Sequence, residues 1–177
     1  MKKVLLLLVL VIALGGIVSA KEAHKNVIYV GSTGLFGFAS GYERMLSKNF
    51  SLLIDTGLAF LINPAVYIST HLRWFPFLDS QGKPIGFFLD AGTGLGRYFH
   101  WADSNDKNYD IMGIIFSSGL GFKFGSRKSK GLVFAPSLNY DIYLGEKSWD
   151  YNANNERESK FGAGFNTNLK LLFGFGF

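Results

Sequence analysis

The amino-acid sequence predicts an all-β fold in which eight antiparallel strands, connected in up-and-down order, close into a transmembrane β-barrel. First, apolar and polar residues alternate with a period of two in segment after segment beyond Lys25, and no segment there sustains helical periodicity. Second, the later alternating segments reach or exceed the roughly 9 to 11 residues with which a tilted strand crosses a bilayer. Third, the composition has 18 Phe, 8 Tyr and 22 Gly residues but only 4 Pro, which favours pleated, closely packed strands.

The first 20 residues predict a cleaved secretory signal peptide that takes no part in the fold. Lys2 and Lys3 supply positive charge, residues 4–14 form an apolar run, and residues 18–20 are small enough for cleavage. The apolar run is too short to remain as a spanning helix. We therefore expect a signal peptide over residues 1–20 and one barrel domain over residues 21–177.

The composition excludes several classes of function. The chain has no Cys, which excludes disulfides, thiolate catalysis and Cys-ligated metals. Two of the 18 Lys and Arg residues belong to the predicted signal peptide, so 16 basic residues face 13 acidic residues in the mature domain. This small excess does not predict nucleic-acid binding. The sequence motifs predict no cofactor and no metal site.

The first four predicted strands are separated by residues typical of turns. They cover residues 26–34, 36–46, 50–60 and 65–76. Gly34, the polar residues 47–49 and the Asn63-Pro64 pair stand between them, and such residues favour turns over strands.

The last four predicted strands show the alternation most clearly, and they cover residues 85–98, 110–124, 131–144 and 161–177. In the last of them, Phe165, Phe173 and Phe177 share one face, whereas Asn166 and Lys170 share the other. Such strands have one apolar face and one polar face, which is the pattern of a barrel with lipid outside and a polar interior.

The predicted connections alternate in length, as expected for a barrel with short periplasmic turns and longer external loops. The short turns are predicted at residues 47–49, 78–84 and 125–130, and the two long polar loops at residues 99–109 and 145–160. Because function often lies on loops carried by a rigid scaffold, these two loops are candidates for contact with an extracellular partner. Their aromatic contact candidates are Trp101, Trp149 and Tyr151.

Two segments resemble a known family. The hairpin at residues 41–52 (GYERMLSKNFSL) and the terminal segment at residues 171–177 (LLFGFGF) are similar to those of small outer-membrane β-barrels of the OmpA and OmpX kind. The resemblance implies a location in the outer membrane of a diderm bacterium, in contact with its lipid. It also implies that Phe173, Phe175 and Phe177 form the signal that the outer-membrane assembly machinery reads. The family is functionally mixed, so the resemblance does not define an activity.

If the apolar face meets lipid, the polar face places eight ionisable residues in the interior: Glu43, Asp55, His71, Arg73, Asp90, Lys123, Asp141 and Lys170. An eight-stranded barrel is just wide enough to be filled by side chains, so these groups are expected to pair and to form a structural charge network. Pairing Pro76 with Ile85 across the turn predicts that His71 lies opposite Asp90, with Asp55 approaching from the other neighbouring strand.

We therefore predict a non-enzymatic outer-membrane protein with a structural and surface-interaction role. Two alternatives remain open. Ser69, His71 and an Asp could form a hydrolytic set, as in outer-leaflet enzymes that modify lipid A. Alternatively, the apolar face could line the cavity of a soluble, lipocalin-like carrier, since alternation alone does not distinguish the inside of a barrel from its outside.

Overall fold

The computed structural model describes residues 25–34, 36–60, 64–77, 86–100, 109–125, 130–151 and 156–177. The predicted signal peptide lies outside these residues. The strands are β1 (Asn26–Thr33), β2 (Gly37–Met45), β3 (Phe50–Ala59), β4 (Ala65–Trp74), β5 (Phe87–His100), β6 (Tyr109–Phe122), β7 (Phe124–Gly125), β8 (Gly131–Tyr151) and β9 (Glu156–Gly176). Among the described residues, no helix has the length and the apolar character that crossing a membrane would require.

The strands form one antiparallel sheet that closes on itself. Each of β1 to β5 pairs with the next strand in the chain, β8 pairs with both β6 and β9, and β9 pairs with β1. The short β7 continues the pairing of β6 with β8 in the same register. The gap between β6 and β7 lies beside Pro136 of β8, which has no N–H to donate to its neighbour. The described strands therefore occupy eight positions in a closed up-and-down ring, which confirms the predicted fold class.

The registers fix the stagger of the ring. Starting from Val30, the successive partners are Ser40, Thr56, Ile68, Leu95, Ile114, Leu144 and Ala163. The direct partner of Val30 on β9 is Phe173, which is ten residues beyond Ala163. In an eight-stranded ring, such a stagger tilts the strands by about 40° and leaves an interior that side chains can fill.

The two faces of the sheet differ in polarity. Large apolar side chains point outwards along every full-length strand, as Val30, Phe116 and Leu132 illustrate. Inside the ring, the described strands bury charged side chains such as Glu43, Arg73 and Lys170. The apolar face is thus the outer face, which is the reverse of the arrangement that a lipocalin-like carrier needs.

The two ends of the ring are different. At the end that we call the terminal end, Asn26 and Phe177 exchange two backbone hydrogen bonds of 2.9 and 3.1 Å. At the opposite end, the rim, the wall has an uneven height. β1 stops at Thr33 opposite Lys170, although β9 begins 14 residues earlier, at Glu156. The β8 and β9 strands therefore stay paired well beyond the rim formed by β1 and β2.

The predicted loop at residues 145–160 is wrong, because most of it is strand. β8 continues to Tyr151 instead of ending at residue 144, and β9 starts at Glu156 instead of residue 161. Trp149 and Tyr151 are strand residues with Glu158 and Glu156 as partners. Polarity on both faces suggested a loop there, but two strands that pair with each other need no apolar face. The other loop is shorter than predicted, since β5 reaches His100 and β6 begins at Tyr109, and Trp101 lies outside the described residues.

Candidate functional site

The eight ionisable residues predicted for the interior converge inside the ring. They come from β2, β3, β4, β5, β8, β9 and the short break between β6 and β7. Seven of them are at most 4% exposed, and the side chain of Lys123 is 12% exposed. Period-two alternation explains this convergence, since each residue has the parity of the inner face on its own strand.

The contacts among these ionisable residues begin near the terminal end of the ring. Lys123 Nζ donates to Glu43 Oε2 at 2.9 Å. The same Oε2 atom lies 3.5 Å from Arg73 Nη1. On its other side, Arg73 Nε donates to Asp90 Oδ2 at 3.0 Å. Arg73 is thereby held between two carboxylates from different strands.

The second half continues from Asp90 towards the rim. His71 Nδ1 lies 2.5 Å from Asp90 Oδ1, and His71 Nε2 lies 3.2 Å from Asp55 Oδ1. The other oxygen of Asp55 accepts a hydrogen bond of 2.6 Å from Lys170 Nζ. Basic and acidic groups alternate without interruption along this ion-pair chain, which consists of Lys123, Glu43, Arg73, Asp90, His71, Asp55 and Lys170.

The alternation of acidic and basic groups lowers the free-energy cost of burying them. A buried charge is costly unless it is paired and hydrogen-bonded, and every carboxylate of the chain has a basic group on both sides. Asp141 lies beside the chain and accepts hydrogen bonds from Ser117 Oγ at 2.6 Å and Asn168 Nδ2 at 3.4 Å. Four acids and three permanent cations balance when His71 is an imidazolium, the form in which both ring nitrogens donate.

Neutral residues complete the network, and of these the sequence analysis singled out only Ser69. Tyr29 and Ser51 each donate to Glu43 at 2.5 Å, and Ser69 donates to Asp55 at the same distance. The sequence signal was available, because these residues have the parity of the inner face on their strands. The guanidinium of Arg73 also lies over the Phe88 ring, 4.4 Å from its centroid.

The predicted pairing of β4 with β5 is wrong by two residues. His71 lies opposite Gly92, and Asp90 lies opposite Arg73. The contact of His71 with Asp90 nevertheless forms along the diagonal, because a shift of two residues keeps every side chain on the same face. Gly92 makes the diagonal possible, since a Cβ atom at this position would lie 2.5 Å from His71 Nδ1.

Towards the rim, the interior is filled by aromatic and aliphatic side chains. We call this group the tyrosine cluster, and it consists of Ala65, Tyr67, Tyr98, Ile111, Ile115 and Tyr143. The rings of Tyr98 and Tyr143 stack with their centroids 5.0 Å apart. Tyr98 also donates from its hydroxyl to the carbonyl of Phe165, at 3.3 Å, where β9 has extended past β1.

Ser69, His71 and Asp90 are spaced like a hydrolytic triad. Ser69 Oγ lies 2.8 Å from His71 Nε2, and His71 Nδ1 lies 2.5 Å from Asp90 Oδ1. However, Ser69 donates its hydroxyl proton to Asp55, and the hydroxyl is buried inside the ring. Both ring nitrogens of His71 face carboxylates and Asp55 holds the Ser69 hydroxyl, so this geometry favours charge pairing over nucleophilic attack.

Of the residues predicted as the assembly signal, Phe173 and Phe175 lie on the outer face of β9 and Phe177 directly follows the strand. Phe173, Phe175 and Phe177 are each about half exposed. Phe173 stacks on Phe134 of β8, with 4.6 Å between ring centroids. These three residues take no part in the ion-pair chain.

No protein-family model matches this chain, and no curated protein matches it either. Among solved structures, the N-terminal β-barrel domain of Pseudomonas aeruginosa OprF is similar, with a TM-score of 0.51 and 14% sequence identity. The match covers 88% of this chain and 100% of that domain. At this identity the likeness concerns the fold, and it confirms that the chain has the fold of a small outer-membrane β-barrel.

Proposed function

We propose that this chain is a non-enzymatic, integral outer-membrane β-barrel protein of a diderm bacterium, with a structural role and a rim that contacts other molecules. The observation that carries the proposal is the combination of an apolar outer face with an interior closed by the ion-pair chain. This arrangement is suited to a hydrocarbon environment and leaves the centre of the ring occupied.

The outer surface supports the membrane location. Lipid cannot hydrogen-bond to backbone groups, so a spanning sheet must close into a ring, as this one does. Near the terminal end, neighbouring Phe rings contact one another around part of the outer face, and this run consists of Phe77, Phe87, Phe122, Phe124, Phe134 and Phe173. Such aromatic girdles are typical of the interfacial regions of outer-membrane barrels.

The interior supports a structural role for the barrel. The ion-pair chain and the tyrosine cluster together occupy the ring from Lys123 near the terminal end to Tyr98 near the rim. Open aqueous channels generally need larger barrels than eight strands. We infer that the polar interior holds the wall together.

Export and orientation follow from the same proposal. Residues 1–20 act as the signal peptide, and Phe173, Phe175 and Phe177 present the final strand to the assembly machinery. The terminal end, with its short turn at residues 46–49, faces the periplasm. The rim then faces the exterior, where the paired ends of β5 and β6 and those of β8 and β9 are available to an extracellular partner.

The first test is membrane fractionation followed by gel mobility with and without boiling. We expect the full chain in the outer-membrane fraction, extractable with detergent, and a folded band whose mobility changes on boiling. A variant without residues 171–177 is the control, and we expect it to lose the mobility change because β9 then lacks most of its contact with β1. Recovery of the intact chain in the soluble periplasmic fraction would contradict the proposal.

A second candidate is an outer-leaflet hydrolase, which the Ser69, His71 and Asp90 distances favour. Ser69→Ala removes the hydroxyl that would act as the nucleophile and leaves the neighbouring side chains unchanged. We expect the mass spectrum of lipid A from expressing cells to be the same with Ser69→Ala as with the unchanged chain. Loss of a deacylated lipid A species in the variant, with folding intact, would establish the hydrolase instead.

A further inference from the structure

Four basic side chains are exposed close together at the terminal end of the ring. This group, which we call the basic patch, consists of Lys25, Arg44, Lys48 and Lys130. Lys25 and Lys130 directly precede β1 and β8. Arg44 is the penultimate residue of β2, and Lys48 lies in the turn that follows β2.

Among the exposed residues that the structure describes at this end, no acidic side chain offsets the positive charge. The acidic residues described here, Glu43 and Asp90, are buried inside the ring as members of the ion-pair chain. A terminal carboxylate at Phe177 would offset one of the four charges and leave three. Such a concentration of one charge favours a partner of the opposite charge.

The strand registers place the members of the basic patch side by side. Asn26 pairs with Arg44 on one side and exchanges two backbone hydrogen bonds with Phe177 on the other. Lys130 directly precedes Gly131, which pairs with the end of β9. Neighbouring strands are about 4.8 Å apart, so the main chains at Arg44 and Lys130 are separated by about 14 Å. The patch therefore spans four adjacent strands of the wall.

Hydrogen bonds hold the main chain of the basic patch in place. The carbonyl of Lys25 accepts a backbone hydrogen bond of 2.9 Å from the end of β2. The turn that carries Lys48 is closed by two backbone hydrogen bonds to the carbonyl of Phe50, of 2.9 and 3.1 Å. Next to it, Asn49 accepts from and donates to the backbone of Phe75, at 2.8 and 2.9 Å. The folded ring therefore presents these charges at fixed positions.

The basic patch lies directly beside the apolar outer face, which favours a lipid over a soluble anion as its partner. Arg44 has the parity of the outer face of β2. Two residues towards the rim, the next row on this face contains the exposed side chains of Ile28, Tyr42 and Ile54. The hydroxyl of Tyr42 donates to Asn26 Oδ1 at 2.8 Å, a placement typical of tyrosines at a membrane interface. The guanidinium of Arg44 is thus at the level where lipid phosphates lie.

We propose that the basic patch binds the phosphate of an anionic phospholipid in the leaflet that surrounds the terminal end. This inference rests on the proposed membrane location and orientation, in which this leaflet is the periplasmic one. The acyl chains of the lipid lie along the apolar row next to Arg44, and the phosphate lies among the basic side chains. Basic residues close to a membrane surface attract anionic lipid in this way.

The test is native mass spectrometry of the folded chain, purified from outer membranes into detergent micelles and titrated separately with phosphatidylglycerol and phosphatidylethanolamine. Both lipids carry a phosphate, but only phosphatidylglycerol has a net negative charge. We expect phosphatidylglycerol to bind with several-fold higher affinity. The double variant Arg44→Gln and Lys48→Gln removes two positive charges and is expected to lower this preference about fivefold, the effect of two exposed ion pairs.

Two control variants separate the patch from general effects of charge. Lys147→Gln with Lys160→Gln removes the same charge from a cross-strand pair near the rim and is expected to retain the preference. Arg44→Lys with Lys48→Arg keeps both charges of the patch and is also expected to retain it. Glycerol phosphate, added at the concentration of the lipid, is expected to leave the bound lipid in place.

The same samples are checked for the boiling-dependent mobility of a folded barrel. If the folded barrel binds both lipids equally, or if the rim variant loses as much preference as the patch variant, the basic patch is not a lipid site and the proposed function still stands. Displacement of the lipid by glycerol phosphate would also overturn the proposal, because the patch would then be a site for free anions. If the chain fails to enter membranes at all, the fractionation experiment shows this independently of any lipid titration.

Discussion

Near the terminal end the ring buries the ion-pair chain beside apolar side chains such as Leu53 and Val133, whereas towards the rim it is filled by tyrosine and isoleucine side chains. The ion-pair chain depends on pairing, because each member would be an uncompensated buried charge without its neighbours. The tyrosine cluster depends on packing and on single hydrogen bonds, which contribute less each. Two interiors of similar burial are therefore expected to respond very differently to the loss of one side chain.

The largest effect is expected for Arg73→Met. This change leaves Glu43 and Asp90 buried without the cation between them, and removing one partner of a buried pair costs about 3 to 5 kcal/mol of unfolding free energy. Urea unfolding of the barrel in lipid vesicles measures this loss of unfolding free energy. Arg44→Met is the matched control, because Arg44 is exposed near the terminal end and its loss is expected to change stability by less than about 0.5 kcal/mol. Equal losses in the two variants would contradict the view that Arg73 stabilises the barrel by pairing with two buried carboxylates.

The Asp55 and Lys170 pair provides a double-mutant cycle. Asp55→Asn and Lys170→Met each leave one buried charge without its 2.6 Å partner, so each single change is expected to cost about 3 kcal/mol. The double variant is expected to be less destabilised than the sum of the two, with a coupling of about 2 kcal/mol. Additive losses in the same urea titration would show that this contact carries no pairing energy.

Gly92→Ala tests the diagonal contact of His71. The added methyl group would meet the His71 ring and the Thr70 carbonyl, at 2.5 and 2.7 Å, so the ring has to move away from Asp90. Overpacking of this kind costs about 1 to 3 kcal/mol. Thr93→Ala, on the outer face of the same strand, is the control and is expected to change stability by less than about 0.5 kcal/mol. An unchanged unfolding midpoint for Gly92→Ala would mean that the ring is not held over this glycine.

The smallest effect is expected in the tyrosine cluster, for Tyr98→Phe. The change removes the hydrogen bond to the carbonyl of Phe165 and keeps the stacked ring on Tyr143, so we expect a loss of about 0.5 to 1 kcal/mol. Tyr98→Leu also removes the stacking and is expected to cost about 0.5 to 1.5 kcal/mol more. A loss from Tyr98→Phe as large as that from Arg73→Met would contradict the comparison of the two regions.

The sequence was sufficient to predict which residues share one face of the sheet, although not which face lies inside. Alternation alone brings Glu43, Asp55 and Lys170 to one face of their strands, and the closed ring then brings them together. Alternation does not reveal register, since a shift of two residues leaves the pattern unchanged. The partner of His71 along the sheet, Gly92, was therefore not predictable, although the contact with Asp90 was.

The ends of β8 and β9 were not predictable for a different reason. Up to Leu144 the outer face of β8 is apolar, and beyond it Glu146 and Ser148 take the corresponding positions. Where neither face of a strand meets an apolar environment, apolar and polar residues do not alternate, so the pattern that identifies a strand in the sequence is absent. Hydrogen bonding between β8 and β9, which continues to Tyr151, is a property of the pair and is not visible in either segment alone.

The seam between β1 and β9 also bears on the order in which the molecule forms. Val27 pairs with Gly176, 149 positions later in the chain, whereas all other neighbours in the wall are joined by one connection along the chain. Closing so long a loop has the highest entropic cost of any contact in the sheet. Hairpins can therefore form early from local contacts, but the cylinder exists only once its last strand has met its first.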